Sequence, residues 1–154
     1  LAVLFSAFIC SAQTYKMYNT QNYHNQLRLN TATGEVKQIQ DDGQSWVICP
    51  GIDNSQTLSG RYNLNETQNM WTFIKLNTRD GRMWQVQYDV KGSERFEVNL
   101  NTAPFATKEE ERDGRFTLYP TQNMWTFILL DQIDGRMWQV QWSMEEDSRF
   151  VIQI

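Results

Sequence analysis

The chain has 154 residues, of which 40% are hydrophobic and 21% charged, enough for one domain with a real core and too apolar for a disordered segment. A net charge of −4 and a pI near 5.0 exclude the basic footprint that nucleic acid or a polybasic membrane anchor requires. Aromatics, at 13% with six tryptophans, are plentiful.

Leu1 to Ala12 (LAVLFSAFICSA) form an uncharged apolar run followed by polar Gln13. This run is too short to span a bilayer and has the form of a secretory signal peptide's apolar stretch, with cleavage expected after Ala12. Two other readings are open: lipidation of Cys10, against which Ile9 stands where a small residue is wanted, and a first core strand. The mature chain, 13–154, keeps Cys49 alone, a small buried hydrophobe at the end of Trp46-Val47-Ile48-Cys49, so packing and sheet hydrogen bonds must carry stability. Localisation is expected to be secreted, periplasmic or at the cell surface.

Three repeats fill the rest. The first, about 13–48, is diverged: Thr20-Gln21-Asn22-Tyr23 aligns with Thr67-Gln68-Asn69-Met70, and Gly34 with Gly81. The second, about 61–100, carries Thr67-Gln68-Asn69-Met70-Trp71-Thr72-Phe73-Ile74 and Asp80-Gly81-Arg82-Met83-Trp84-Gln85-Val86-Gln87. The third, about 115–154, repeats both almost letter for letter, 54 positions later, from Thr121 to Ile128 and from Asp134 to Gln141. A fixed period of this kind marks a repeat architecture.

Within each copy, short period-2 alternations broken by turn residues predict four strands. In the second copy they are Arg61 to Asn65, Met70 to Leu76, Arg82 to Tyr88 and Arg95 to Leu100. In the third they are Arg115 to Tyr119, Met124 to Leu130, Arg136 to Trp142 and Arg149 to Ile154. Thr78-Arg79-Asp80-Gly81 reads as a four-residue hairpin loop in which Asn77 faces Arg82; Thr31 to Gly34 and Gln132 to Gly135 match it. Pro50 to Ser55 and Lys108 to Gly114 read as linkers, with Glu109 to Glu111 a solvated acidic loop. The expected fold is all-β: three repeats of about four antiparallel strands, closed as a β-trefoil-like or small propeller-like array. The Gln-x-Trp of ricin-type trefoils is absent from the second and third copies, which carry Gln85-Val86-Gln87 and Gln139-Val140-Gln141.

The hairpin Leu76-x-x-x-x-Gly81-Arg82-x-Trp84, repeated from Leu130 to Trp138, resembles short blade-type β-repeats in uncharacterised secreted bacterial proteins. The resemblance spans one hairpin per copy and implies no activity.

Pairing the hairpin about its loop sorts the side chains. One face collects Trp71, Phe73, Trp84, Val86 and Tyr88, and in the third copy Trp125, Phe127, Leu129, Trp138, Val140 and Trp142. In the first copy that face is mostly polar: His24, Gln26, Arg28, Lys37, Ile39 and Asp41. The opposite face, with Ile74, Leu76 and Met83, is apolar in all three copies and is expected to line a shared core. The Trp faces are then either buried core or open platforms.

Candidate ligand-binding residues follow from the platform reading: Trp71, Trp84, Tyr88, Trp125, Trp138 and Trp142, with Gln68, Asn69, Gln122 and Asn123 as amides that could bond sugar hydroxyls. The simpler reading of Thr-Gln-Asn is a turn. Asp131 and Asp134 lack the companions of a calcium loop, and the single histidine, His24, rules out a multi-His zinc site, so no metal or cofactor is expected. No nucleophile elbow, phosphate loop or Cys/His pair is present, and the acids sit in polar loops, so catalysis is not expected. The expected function is a secreted, non-catalytic binding module, recognising carbohydrate through Trp and Tyr platforms. The alternative is a structural or protein-interaction β-repeat domain with its tryptophans in the core. Expected partners are a glycan or a cell-envelope protein, with no nucleic acid and no membrane span.

Overall fold

The computed structural model describes residues 13–52 and 59–154. The expected leader, Leu1 to Ala12, lies outside them, as do Asp53 to Ser55 of the first linker. Each repeat forms one antiparallel meander. The first sheet comprises β1 (Tyr15–Asn19), β2 (Asn25–Asn30), β3 (Val36–Gln40) and β4 (Ser45–Cys49). The second comprises β5 (Tyr62–Glu66), β6 (Thr72–Asn77), β7 (Met83–Gln87) and β8 (Phe96–Asn99). The third comprises β9 (Phe116–Pro120), β10 (Thr126–Asp131), β11 (Met137–Gln141) and β12 (Phe150–Gln153).

The central hairpin has the expected register. Leu76 pairs with Met83, Lys75 with Trp84, Ile74 with Gln85 and Phe73 with Val86. The Asn77 amide donates to the Arg82 carbonyl and closes the loop. Because side chains alternate with period 2, this register sends the tryptophans to one face and the Met/Ile/Leu set to the other.

The two faces are used differently from expectation. The Met/Ile/Leu faces do not converge on a shared core. Instead each sheet lays its aromatic face on the aliphatic face of the sheet before it. Phe73, Val86 and Tyr88 of the second sheet, with Tyr62 and Leu64, pack on Leu27, Leu29 and Val36 of the first. Phe127, Leu129, Trp138, Val140 and Trp142 of the third pack on Ile74, Leu76 and Met83 of the second. The second sheet is therefore covered on both faces, which is why both faces of its copy are apolar. Among the described residues no sheet covers the first sheet's outer face, in keeping with His24, Arg28 and Lys37 there. Each repeat keeps its strands in a sheet of its own, and closure of the three sheets into a ring, expected of either a trefoil-like or a propeller-like array, is not seen among the described residues. Among the described residues no hydrophobic cluster joins the first sheet to the third.

Two backbone devices repeat at each joint. The Tyr62 amide donates to the Thr31 carbonyl and the Phe116 amide to the Thr78 carbonyl, tying each first strand to the preceding hairpin loop. The departing chain crosses the same loop, the Ile52 amide donating to Thr33 and the Phe105 amide to Asp80. Gly81 has φ +80° and lies against the Phe116 ring, so a Cβ there would come within 2.9 Å of Phe105 and 3.1 Å of Phe116. Gly34 lies under Tyr62 in the same way, its added Cβ 3.2 Å from that ring. The loop glycine thus serves both the left-handed turn and the close approach of the next repeat's aromatic.

Candidate binding cleft

The equivalent space at the two joints is occupied differently. Between the second and third sheets, Phe105 enters from the linker, stacks on Trp138 with centroids 4.3 Å apart and an interplanar angle of 17°, and meets Phe116 at 6.4 Å. Between the first and second sheets the corresponding linker residue is Ile52, which is shorter and partly exposed. Among the described residues a cleft of about 440 Å³ is left there, bounded by Thr33, Ile52, Tyr62, Trp84 and Asn99.

Its floor is charged. Lys75 is 3% exposed, where the third repeat has apolar Leu129. The Lys75 ammonium donates to the Gly34 carbonyl at 3.0 Å, pairs with the Glu97 carboxylate, and sits 4.9 Å from the Trp84 ring centroid. A buried ammonium is tolerated only with such partners, and Lys75 has a carboxylate, a carbonyl and two π faces, Tyr62 lying 5.8 Å away. Glu97 stays partly solvated and faces the cleft. Cys49 is fully buried beneath this pair; burial pushes its thiol pKa up, the nearby ammonium opposing only in part. A thiol so held is protonated at neutral pH, a packing residue and not a nucleophile.

The aromatic residues singled out from the sequence fall into two groups. Tyr88, Trp138 and Trp142 are buried within the joints, and the Trp142 indole N–H donates to the Met124 carbonyl at 2.9 Å. Trp71 and Trp84 are half-buried, and Trp125 is 37% exposed. Trp71 leans on Tyr88 at 5.2 Å, and Trp125 on Trp142 at 4.6 Å. Of these residues only Trp84 borders the cleft between the first and second sheets.

The Thr-Gln-Asn segments are turns built alike three times. The hydroxyls of Thr20, Thr67 and Thr121 each donate across the turn to two carbonyls. The side-chain carbonyls of Asn22, Asn69 and Asn123 accept from the amides of His24, Trp71 and Trp125. These are local bonds of the kind that fix Asx and Thr turns. Gln68 and Gln122 point to solvent. Gln68 and Asn123 also border a smaller groove of about 260 Å³ between neighbouring turns, whose apolar wall is Met124 and Phe127.

Asp131 and Asp134 are bound by arginine. Arg115 grips Asp131 with Nη2 at 2.8 Å and Nε at 3.0 and 3.1 Å, both residues being almost wholly buried. Arg136 bonds Asp134 at 2.7 Å. Burial alone would raise the Asp131 pKa, but Arg115 and the Ile133 and Asp134 amides outweigh it and hold the carboxyl below its ordinary value. His24 Nδ1 contacts the Asp41 carboxylate on the exposed face of the first sheet.

No protein-family model, curated protein or solved structure matches this chain. The site is read from its own chemistry. Sequence reasoning reached Trp84 but missed Ile52, Lys75, Glu97 and Phe105. The available signal was substitution between copies: Lys75 stands where its counterpart is Leu129, and Phe105 is the lone aromatic of its connection, in the short apolar run Ala103-Pro104-Phe105-Ala106.

Proposed function

We propose that this chain is a secreted, non-catalytic binding module whose ligand lies in the cleft between the first and second sheets. The reading rests on one observation: the space that Phe105 fills at one joint stands open at the other, bordered by Trp84. The chemistry of the cleft suits a saccharide. Trp84 offers an apolar edge, while Glu97, Asn99 and Thr33 offer acceptors and donors for hydroxyls, and the buried ammonium of Lys75 polarises the floor.

Titration of polysaccharides and oligosaccharides against tryptophan fluorescence tests it, with Ile52→Phe as the variant that plugs the cleft. Binding should be lost in Ile52→Phe while the fold is retained. Undiminished binding in that variant overturns the cleft assignment.

A second reading has its own support. Tyr88, Trp138 and Trp142 are consumed in holding sheet to sheet, as expected for a structural or protein-interaction repeat domain. A broad glycan panel with no response, alongside capture of a defined envelope protein, favours it.

A further inference from the structure

The two ends of the stack are unlike. The first sheet's outer face carries Arg28, Lys37, His24 and Asp41, with Arg28 paired to Glu35 at 2.9 Å. The third sheet's outer face carries Ile128, Leu130, Met137, Gln139 and Ile152, cross-strand neighbours in one register. Met137 is 40% and Ile152 56% exposed. On the second sheet the matching residues Ile74, Leu76, Met83 and Gln85 are all 0% exposed beneath the third sheet. On the first sheet Leu27, Leu29, Val36 and Gln38 are likewise sealed beneath the second. The open face therefore has the composition and register of a face that is covered twice elsewhere in this molecule.

The docking hardware is present there too. Gly34 and Gly81 each receive an aromatic ring of the following sheet, whereas Gly135, with φ +81°, has nothing within 4 Å of a Cβ built upon it. The carbonyls of Thr31 and Thr78 take the first-strand amide of the following sheet, and those of Thr33 and Asp80 take the linker amide. Their counterparts, Gln132 and Asp134, have no backbone partner at these carbonyls among the described residues. Gln38 and Gln85 hook the following repeat, Gln38 donating to the Asp89 carbonyl at 3.0 Å and Gln85 accepting from the Ser143 amide at 3.3 Å. Gln139 holds the same place on the open face.

We propose that the outer face of the third sheet is a docking surface for a further four-stranded β-repeat, which lays a Trp/Phe/Val face upon Ile128, Leu130 and Met137 and an aromatic ring upon Gly135. The occupant's chemistry is that of the second and third sheets' own aromatic faces, and the interface is continuous in plan with the two joints already present. The inference is independent of the saccharide reading, since the cleft lies at the opposite joint.

The period makes the test direct. A second copy of residues 101–154 appended to Ile154 continues the 54-residue spacing and presents the third sheet's aromatic face to the open one. The extended chain should unfold in urea in one transition, with a higher midpoint and a steeper slope than the parent. Met137 should resist peroxide oxidation in the extended chain and oxidise readily in the parent. Ile128→Lys should leave the parent's midpoint nearly unmoved but split the extended chain's transition in two. An added unit that stays unfolded overturns the proposal, as does one that folds while Met137 stays reactive. A parent chain that self-associates at micromolar concentration, protects Met137 in doing so, and is made monomeric by Ile128→Lys also overturns it, naming a second copy of the chain as the occupant.

Discussion

The joint between the second and third sheets and the joint between the first and second share one plan and differ in how they are finished. Both set a loop glycine under an aromatic ring, both tie the loop to the next first strand, and both are crossed by the departing linker. At the second joint an aromatic plug completes the packing: Phe105 on Trp138. At the first the plug is an isoleucine, the layer beneath it is Lys75 with Glu97, and the space stays open. What a stacked repeat must keep is the contact between glycine, ring and strand. What it can vary is the plug, and that is where room for a ligand arises.

The largest test of this difference removes the matching tryptophans. Trp138→Ala takes out a ring sandwiched by Phe105 and Phe116 and should cost about 3–5 kcal/mol in urea unfolding. Trp84→Ala takes out a partly buried ring and should cost less, about half as much, since part of its surface is wet already. Equal costs would show that the first joint is as tightly packed as the second.

The third repeat also holds an ion pair that the second lacks. Where the second has neutral Asn77, the third has Asp131, buried against Arg115. Asp131→Asn leaves the buried guanidinium only the more distant Asp134 carboxylate, 3.4 Å away, and should cost about 3 kcal/mol at pH 7. The folded pKa of Asp131 is depressed, so its contribution is complete above the unfolded value near 3.9 and disappears as pH falls through the folded value. The parent should therefore lose stability below about pH 4, and Asp131→Asn should flatten that part of the profile. A variant whose acid limb runs parallel to the parent's would assign the loss to other carboxylates.

A glycine pair separates the covered loop from the open one. Gly81→Ala and Gly135→Ala carry the same left-handed penalty of about 1–2 kcal/mol. Gly81→Ala adds a collision with Phe105 and Phe116, about 1–3 kcal/mol more, so the two costs should differ by that amount. Identical costs would mean that the ring over Gly81 can move aside freely.

Much of this plan is legible in the sequence. The repeat period, the four strands of the second and third copies, the pairing of Leu76 with Met83 and the turn at Thr-Gln-Asn all follow from local pattern, because period-2 alternation and turn chemistry are set by neighbouring residues. The stacking direction does not follow in that way. An apolar face common to all three copies reads equally well as one shared core or as three successive acceptor faces. The hint lay in the middle copy, where Phe73 and Ile74 are neighbours on one strand and yet both bury, which one-sided packing does not allow. Phe105 and Ile52 were less legible still. They sit in connecting segments, where no periodicity marks a residue as inward-facing, and their roles appear only once the neighbouring sheet is in place.

Ile52→Phe is the smallest of these changes and the one that bears on both structure and binding. If the first joint is the second joint without its plug, a phenyl ring at 52 should enter the cleft, meet Trp84 as Phe105 meets Trp138, and stabilise the chain by about 0.5–1 kcal/mol, as cavity-filling changes commonly do. The buried ammonium limits the gain, because the ring must settle above Lys75 and Glu97, where Phe105 rests beside Leu129. A double variant, Ile52→Phe with Lys75→Leu, discriminates between the two limits. Should the pair stabilise by more than the sum of the single changes, the charged floor is what keeps this joint open. Should Lys75→Leu alone destabilise strongly, as an unpaired Glu97 would demand, the floor is a structural element of the second sheet and the cleft is held open by the linker's path instead.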